Sequence, residues 1–522
     1  MRKFAVLVLI LTLALFSAAC SSDNAGSTGT SGKTKATGDK ELTVAIDQNF
    51  ITLDPHNAGD TVSIIGIRSM YEGLVGFDKD MQIIPALAES YDISKDGLTY
   101  TFKLRQGVKF HDGEQFNAEA VKANFDRIMD DANNLSAKRS FKFVDSMEII
   151  GDYEVAFKLK EPFSAMINKF GMVPMISPKA IEKGTKYIEA NPVGTGTFKF
   201  VEWKQGKTLE VEKYADYWGG DQTNVEKVKF SPIPENGSRV AMLKTGEADF
   251  VYPMPQQNVK QFKNSKDVTI EESPSTIVRY VSINTFMDQY KDLKVRQAMN
   301  LAVNKEAYIK VVKDGYGHVL DSTMAPETQY YAKQKAYEFD VKKAKELLKE
   351  AGYENGFKAE IWGNTSSESV KGMQFIKQQL AQIGIDVKIK SMEEGTLSDE
   401  IYTPAKPEDA KVQMWYVSWS PSSGDADGAT RGLFSNEYYP PNGANTAYYN
   451  NEKVTNWIKE ANATADPKEQ EKIYHEIQRT VFEEAPWIFL ASDVNLAAHA
   501  NNLEGVYVAP DGVINISKAQ LK

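Results

Sequence analysis

Cysteine is nearly missing from this chain. Its 522 residues contain one, Cys20, which excludes an internal disulfide and any zinc site built on several thiolates. Histidine is also scarce. The five copies (His56, His111, His318, His475, His499) include no pair three or four residues apart, the spacing that places two imidazoles on one helix face, so no resident metal is expected. A basic block is lacking too: 61 Lys and Arg against 71 Asp and Glu leave a formal charge of −10. Phosphate contacts dominate nucleic-acid binding, so an acidic chain without a basic stripe argues against that partner. Long apolar runs are absent beyond one of thirteen residues, Phe4–Phe16, interrupted by Thr12. That is short of the roughly 20 residues that span a bilayer.

The apolar run follows Arg2 and Lys3 and precedes Ser17-Ala-Ala-Cys20. A positive start, a short apolar stretch and small residues before a cut form a secretory signal. The single cysteine stands where a lipoprotein is cleaved and lipidated, which predicts a signal peptide over 1–19 and a lipid on Cys20. Ser21–Lys40 holds only small, polar and charged residues. Such a stretch cannot bury enough surface to offset its ordering entropy, so residues 20–40 read as a tether reaching about 25 Å. The expected location is extracytoplasmic, anchored by lipid to the cell membrane.

With 42% hydrophobic and 25% charged residues, the remainder has the composition of a globular body, and it is too long for one core. Its patterns alternate between strand and helix. Leu42–Ile46 is a short apolar strand, and Leu87–Ile93 and Leu98–Leu104 flank a Ser94-Lys-Asp-Gly97 hairpin turn. Thr197–Trp203 and Leu209–Lys213 make a second strand pair. Asn117 and Asp340 are placed to cap helices with apolar positions at helical spacing. Phe357–Trp362, a helix bearing Met373, Ile376 and Leu380, a Gly384 stop and Ile385–Ile389 compose a βαβ unit. The class is α/β. Motifs for catalysis are lacking: no G-x-S-x-G, no P-loop, no H-E-x-x-H. Gly194-Thr-Gly196 precedes a strand and reads as a turn, as do His56 and His111. An enzyme is not expected, and no cofactor is implied.

One ordered set of short motifs goes further. Leu53-Asp-Pro-His56, Tyr71-Glu-Gly-Leu74, Leu87-Ala-Glu-Ser90, Tyr100–Arg105 and Phe110-His-Asp-Gly113 come first. Asn191–Gly196, Asp216-Tyr-Trp218, Gly246-Glu-Ala-Asp249, Val295-Arg-Gln-Ala298 and Ala344–Gly352 follow. The set resembles the peptide/nickel class (family 5) of solute-binding proteins that serve bacterial ABC importers. Ser273–Tyr280, Trp419–Asp427, Leu433-Phe434, Pro440-Pro441 and Asn445–Tyr449 resemble its glutathione-binding branch.

The resemblance implies a two-lobed, type II periplasmic-binding-protein-like flytrap with an extra subdomain inserted in lobe one. Residues 41–71, 186–280 and 489–522 would form lobe one, 72–185 the insertion, and 285–488 lobe two. A small peptide, glutathione-like or a di- or oligopeptide, would be clamped between the lobes of a monomer and passed to permease subunits. Alternatives are a receptor that presents signalling peptides, and a binder of a nickel chelate or another solute of the class; a secreted hydrolase has no motif behind it.

Two departures bear on the ligand. Many relatives carry an aspartate three residues after the tryptophan, to meet the ligand ammonium, where this chain has Ser422; the acids come later, at Asp425 and Asp427. The arginine that holds a dipeptide carboxylate is missing from Gly363–Glu368. Charged ligand ends need opposite charges in the cleft. The expected site therefore has Asp427, or Asp425, on the ammonium and Arg279 and Arg431 on carboxylates. Trp419 and Tyr280 would be walls, with Asn364 and Thr365 as hydrogen-bonding groups. Arg279→Ala is expected to weaken binding at least tenfold without unfolding.

Overall fold

The computed structural model describes residues 40–404, 406–421 and 423–522. Cys20 and the leader and tether expected over 1–39 lie outside the described residues. Among the described residues no helix is long and apolar enough to cross a membrane.

Ten strands line up along one sheet, to which His318–Val319 adds an eleventh. In chain order they are β1 (Glu41–Ile46), β2 (Phe198–Lys204), β3 (Thr208–Lys213), β4 (Lys227–Pro232), β5 (Phe250–Tyr252), β6 (Val268–Ile283), β7 (Lys358–Asn364), β8 (Asp386–Met392), β9 (Met414–Trp419) and β10 (Trp487–Ala500). Their spatial order is β8-β7-β9-β6-β10-β5-β1-β4-β3-β2. One half carries the lobe-one core, with Leu42, Val44, Leu209, Val228 and Phe230 almost solvent-free. The other half carries lobe two, with one core around Met299, Ile361 and Ile376 and another around Phe434, Tyr474 and Phe489.

β6 and β10 join the halves. They pair antiparallel along nearly their whole length, but the register slips between Pro274 and Val278 and again between Arg279 and Tyr280. Proline has no N–H for a ladder, and such irregularities bend and twist a ribbon. This irregular stretch lies in the middle of the sheet, between its two halves.

The inserted subdomain has its own four-stranded antiparallel sheet, ordered Ala88–Ile93, Thr99–Leu104, Glu154–Leu159 and Val144–Gly151. Its first hairpin turns at Ser94–Gly97: Gly97 donates to the Ser94 carbonyl at 2.8 Å with φ 70°, a value glycine adopts freely. Phe102, Phe157 and Phe170 pack in a ring cluster with centroids 4.6–6.0 Å apart. Helix Ala118–Met129 covers this core, its start capped by Asn117 Oδ1, which accepts from Ala120 N at 3.0 Å. In lobe two, β7 and β8 run parallel and are joined by helix Ser367–Ala381, the βαβ unit expected from the sequence.

Candidate functional site

Where the lobe-one sheet ends, the chain turns through Asp54–Asn57 into helix Thr61–Met70. Asp60 starts that helix by accepting from Ser63 N at 2.8 Å. Below the turn lies a buried charge cluster. Arg127 contacts Asp54 through both terminal nitrogens, at 3.1 and 2.5 Å, and donates to His56 Nδ1 at 2.8 Å. Burial, reinforced by the Arg127 charge, lowers the His56 pKa to about 4, so the imidazole is neutral at pH 7. Its Nε2 then donates to the Pro174 carbonyl at 2.9 Å. His56 and His111, read from sequence as turn residues, thus have a larger part: each ring ties two segments together. His111 Nε2 bonds the Gly196 carbonyl at 3.0 Å.

Above the turn is a cavity of about 660 Å³. Its walls come from the segment after β1, the inserted subdomain, the C-terminal residues 507–518, and one loop of lobe two that contributes Ser423. The Gly194-Thr-Gly196 turn lets the chain pass the helix end here. A Cβ on Gly194 would lie 2.2 Å from the Met70 carbonyl oxygen, and one on Gly196 2.7 Å from the Met70 carbonyl carbon.

Cations outnumber acids in the lining. Arg68, in the last turn of its helix, pairs with Asp511 at 2.8 Å. Arg139 and Lys518 are exposed at the cavity edge and have no ion pair or side-chain hydrogen bond among the described residues. Lys169 reaches from the inserted subdomain to lobe two, donating to Ser423 Oγ at 2.7 Å and to Asp425 Oδ2 at 3.2 Å. Beside it Asn168 donates to the Ser423 carbonyl at 3.0 Å. Two acids line it. Glu72 is fully engaged by the protein: it accepts from Thr195 Oγ1 and Tyr217 OH, both at 2.8 Å, and from Trp218 Nε1 at 2.7 Å, while Asp78 Oδ1 accepts from the Asp80 and Gln82 backbone N–H groups at 2.9 and 2.8 Å. Removal from solvent raises the Glu72 pKa against the pull of its three donors.

None of the eight residues expected to bind ligand lines this cavity. Arg279, on β6, donates to Asp493 at 2.9 Å and lies 3.3 Å from Glu368, while Lys313 approaches the same two carboxylates at 3.2 Å. Burial disfavours the Arg279 charge, but the two acids outweigh it and raise its pKa. Tyr280 is 2% exposed and stacks on Trp487 with centroids 3.6 Å apart. Asn364 bonds Glu394 and Ser366 at the end of β7, and Thr365 faces solvent. Trp419 donates to the Gly428 carbonyl at 3.0 Å. Arg431 is spent on Asp427 at 2.8 Å, and its guanidinium lies over the Phe143 and Phe163 rings of the inserted subdomain. Burial nonetheless raises the Asp427 pKa, whereas Lys169 overrides burial at Asp425 and lowers it. Asp425 and Asp427 line a second chamber, of about 320 Å³, next to the first.

The lining cations Arg68, Arg139, Lys169 and Lys518 are not among the residues singled out from sequence. The only local signal was for Arg68, a cation one helical turn before Tyr71-Glu-Gly-Leu74.

A two-lobed α/β body with a charged inter-segment cavity also matches known proteins. The profile described as "Bacterial extracellular solute-binding proteins, family 5 Middle" matches residues 82–441. The chain belongs to this family. It is an extracytoplasmic solute-binding protein and not an enzyme. Among curated relatives, the glutathione-binding protein GsiB of Pectobacterium atrosepticum is 40% identical over 485 residues, covering 92% of this chain and 94% of that one. The Escherichia coli protein of the same name is 40% identical over 486 residues, covering 92% and 95%. Among solved structures, the Helicobacter pylori ABC transporter-associated periplasmic binding protein DppA with peptide STSA is 30% identical. It has a TM-score of 0.75 and covers 92% of this chain and 98% of its own. NikZ of Campylobacter jejuni with Ni(L-His) is 27% identical, with a TM-score of 0.76 and coverage of 93% and 100%.

Proposed function

We propose that the protein captures a small peptide bearing more than one carboxylate, of which glutathione is the model, and delivers it to the permease of an ABC importer. The supporting observation is the charge of the 660 Å³ cavity: four cations, Arg68, Arg139, Lys169 and Lys518, line it against two acids, Glu72 and Asp78, each of which accepts hydrogen bonds from the protein. The names of the curated relatives point to the same solute. Glutathione carries two carboxylates and one ammonium, and bidentate arginine contacts suit carboxylates. Cation and anion would meet in a space large enough for a tripeptide and shielded by the loop that carries Ser423.

In this reading the segment from Ser423 to Arg431 closes the cavity by contacting the inserted subdomain. Arg279, with Asp493, Glu368 and Lys313, stiffens the lobe-two side of the bend. Tyr280, Asn364 and Thr365 support that lobe. The mature chain would act as a monomer held at the membrane by a lipid on Cys20. Isothermal titration with glutathione, dipeptides and nickel–histidine tests the reading. Glutathione should bind most tightly, and an absence of glutathione binding would refute it. Mass spectrometry of the mature protein should show a lipid-modified Cys20.

A further inference from the structure

The inserted subdomain touches both lobes, and the two junctions differ in kind. Its hold on lobe one is buried and charged: Arg127 pairs with Asp54, and both side chains are almost solvent-free. Parting that junction would strand the two charges. His111 and Tyr214 reinforce it, bonding the Gly196 carbonyl at 3.0 Å and the Phe110 carbonyl at 3.2 Å. The hold on lobe two is a seam of separate contacts. Lys169 makes the part that borders the main cavity. The other part sets Phe143, Phe163 and Ser164 against Arg431, Asn462 and Gln470, and none of these six lines that cavity.

This second part joins groups that secondary structure leaves over. Helix Glu452–Ala463 ends with carbonyls that have no partner inside it. The one at Asn462 accepts from Ser164 N, across the seam, at 3.1 Å. Helix Pro467–Glu484 supplies Gln470, which is 7% exposed. Its Oε1 accepts from Tyr330 OH at 2.8 Å, and its Nε2 donates to the Ala461 carbonyl at 2.8 Å and to Ser164 Oγ. With both N–H groups and the oxygen in use, the amide is held in one orientation. Lobe two thus presents a bracket, built by its own residues, that receives Ser164. Beside it the Arg431 guanidinium lies 5.1 Å from the Phe163 ring and 5.3 Å from the Phe143 ring. Ring faces attract cations, which adds a contact of another type to the same seam.

Opening the lobes to a solute parts the seam with lobe two, because the junction with lobe one is locked by buried charge. We propose that Ser164, Gln470 and Arg431 form a latch that sets affinity without touching a solute in the main cavity. A latch that favours the shut form raises the fraction of molecules able to grip the solute, and apparent affinity scales with that fraction. It also slows release, since the solute leaves only after the seam parts. The inference goes beyond the reading above and rests on it only where glutathione is the probe.

The test compares wild type with Ser164→Ala, which removes the hydroxyl, and Ser164→Trp, which puts a wedge in the bracket. Ser164 is only partly buried, and Ser164→Ala decides alone should the wedge fail to fold. Amide hydrogen exchange without solute reports opening of the seam. Exchange over residues 160–168 should be about threefold faster in Ser164→Ala, as for one lost hydrogen bond, and at least tenfold faster in Ser164→Trp. Exchange in β1 should stay at the wild-type rate in both. Stopped-flow release of glutathione should accelerate by similar factors, with association no slower than in wild type. Unchanged exchange at the seam overturns the latch, and so does faster exchange with glutathione release unchanged. Acceleration that includes β1 also overturns it, because that is general loss of stability. Should wild type fail to bind glutathione, the peptide reading falls by itself and exchange alone decides. Acceleration confined to the seam then supports the latch, and unchanged exchange refutes it.

Discussion

Two charged regions adjoin each other in the fold and behave oppositely. The Asp54–His56–Arg127 cluster is closed on itself: its carboxylate, imidazole and guanidinium satisfy one another and are nearly solvent-free. The cavity above it leaves Arg139 and Lys518 without partners and commits Glu72 to neutral donors. A buried charge removed from its partner is costly, so a closed cluster is part of the architecture. Unpaired cations at a cavity edge remain available to a solute. The Arg279–Asp493–Lys313–Glu368 group belongs with the closed kind, which changes what Arg279→Ala is expected to do: it should lower stability as well as affinity.

The contrast can be broken most severely in the closed cluster. Asp54→Ala would strand Arg127 beside a neutral His56 and should reduce unfolding stability by about 3–5 kcal/mol, read from urea denaturation as a lower midpoint at unchanged slope. Next in size is a pH effect. A histidine whose folded pKa lies below its unfolded value contributes stability that is complete above the unfolded value. That contribution is lost as pH falls from 6.5 to about 4 for His56, with a parallel part from His111. Each shift corresponds to about 3 kcal/mol at most. Chemical denaturation across that pH range should show the loss, and His56→Gln should diminish it.

Between the two kinds of region stands Lys169, which faces the cavity yet is tied to Ser423 and Asp425. Lys169→Met removes charge-assisted bonds of about 1.5–3 kcal/mol that hold the inserted subdomain to lobe two. Glutathione affinity should fall tenfold or more, and small-angle scattering should show a larger radius without solute. The smallest effect belongs to the open region. Arg139→Ala should leave the melting temperature unchanged and weaken glutathione about fivefold, as for one exposed charge contact, with the difference shrinking at high salt.

How much of this could be read beforehand follows from the range of each interaction. The Ser94–Gly97 turn, the Asn117 and Asp340 caps and the βαβ unit whose helix stops at Gly384 depend on residues close to one another in sequence, and the structure contains them. The α/β class and the family followed from such local signals and from their order along the chain. The site did not. Asp427 and Arg431 look in sequence like one anion-binding and one cation-binding group, but four residues apart on one turn they neutralise each other. Arg279 was legible as a charge near the bend; that Asp493 and Lys313 meet it depended on strand pairing across more than two hundred residues and on helix Lys305–Val312.

Composition, turn chemistry, capping and strand periodicity, all set by neighbours in the chain, were thus determined by the sequence alone. Which charges remain unpaired was decided only by the tertiary structure, because Arg68, Arg139, Lys169 and Ser423 converge from segments hundreds of residues apart. Whether a charge is available to a solute depends on what folding places beside it.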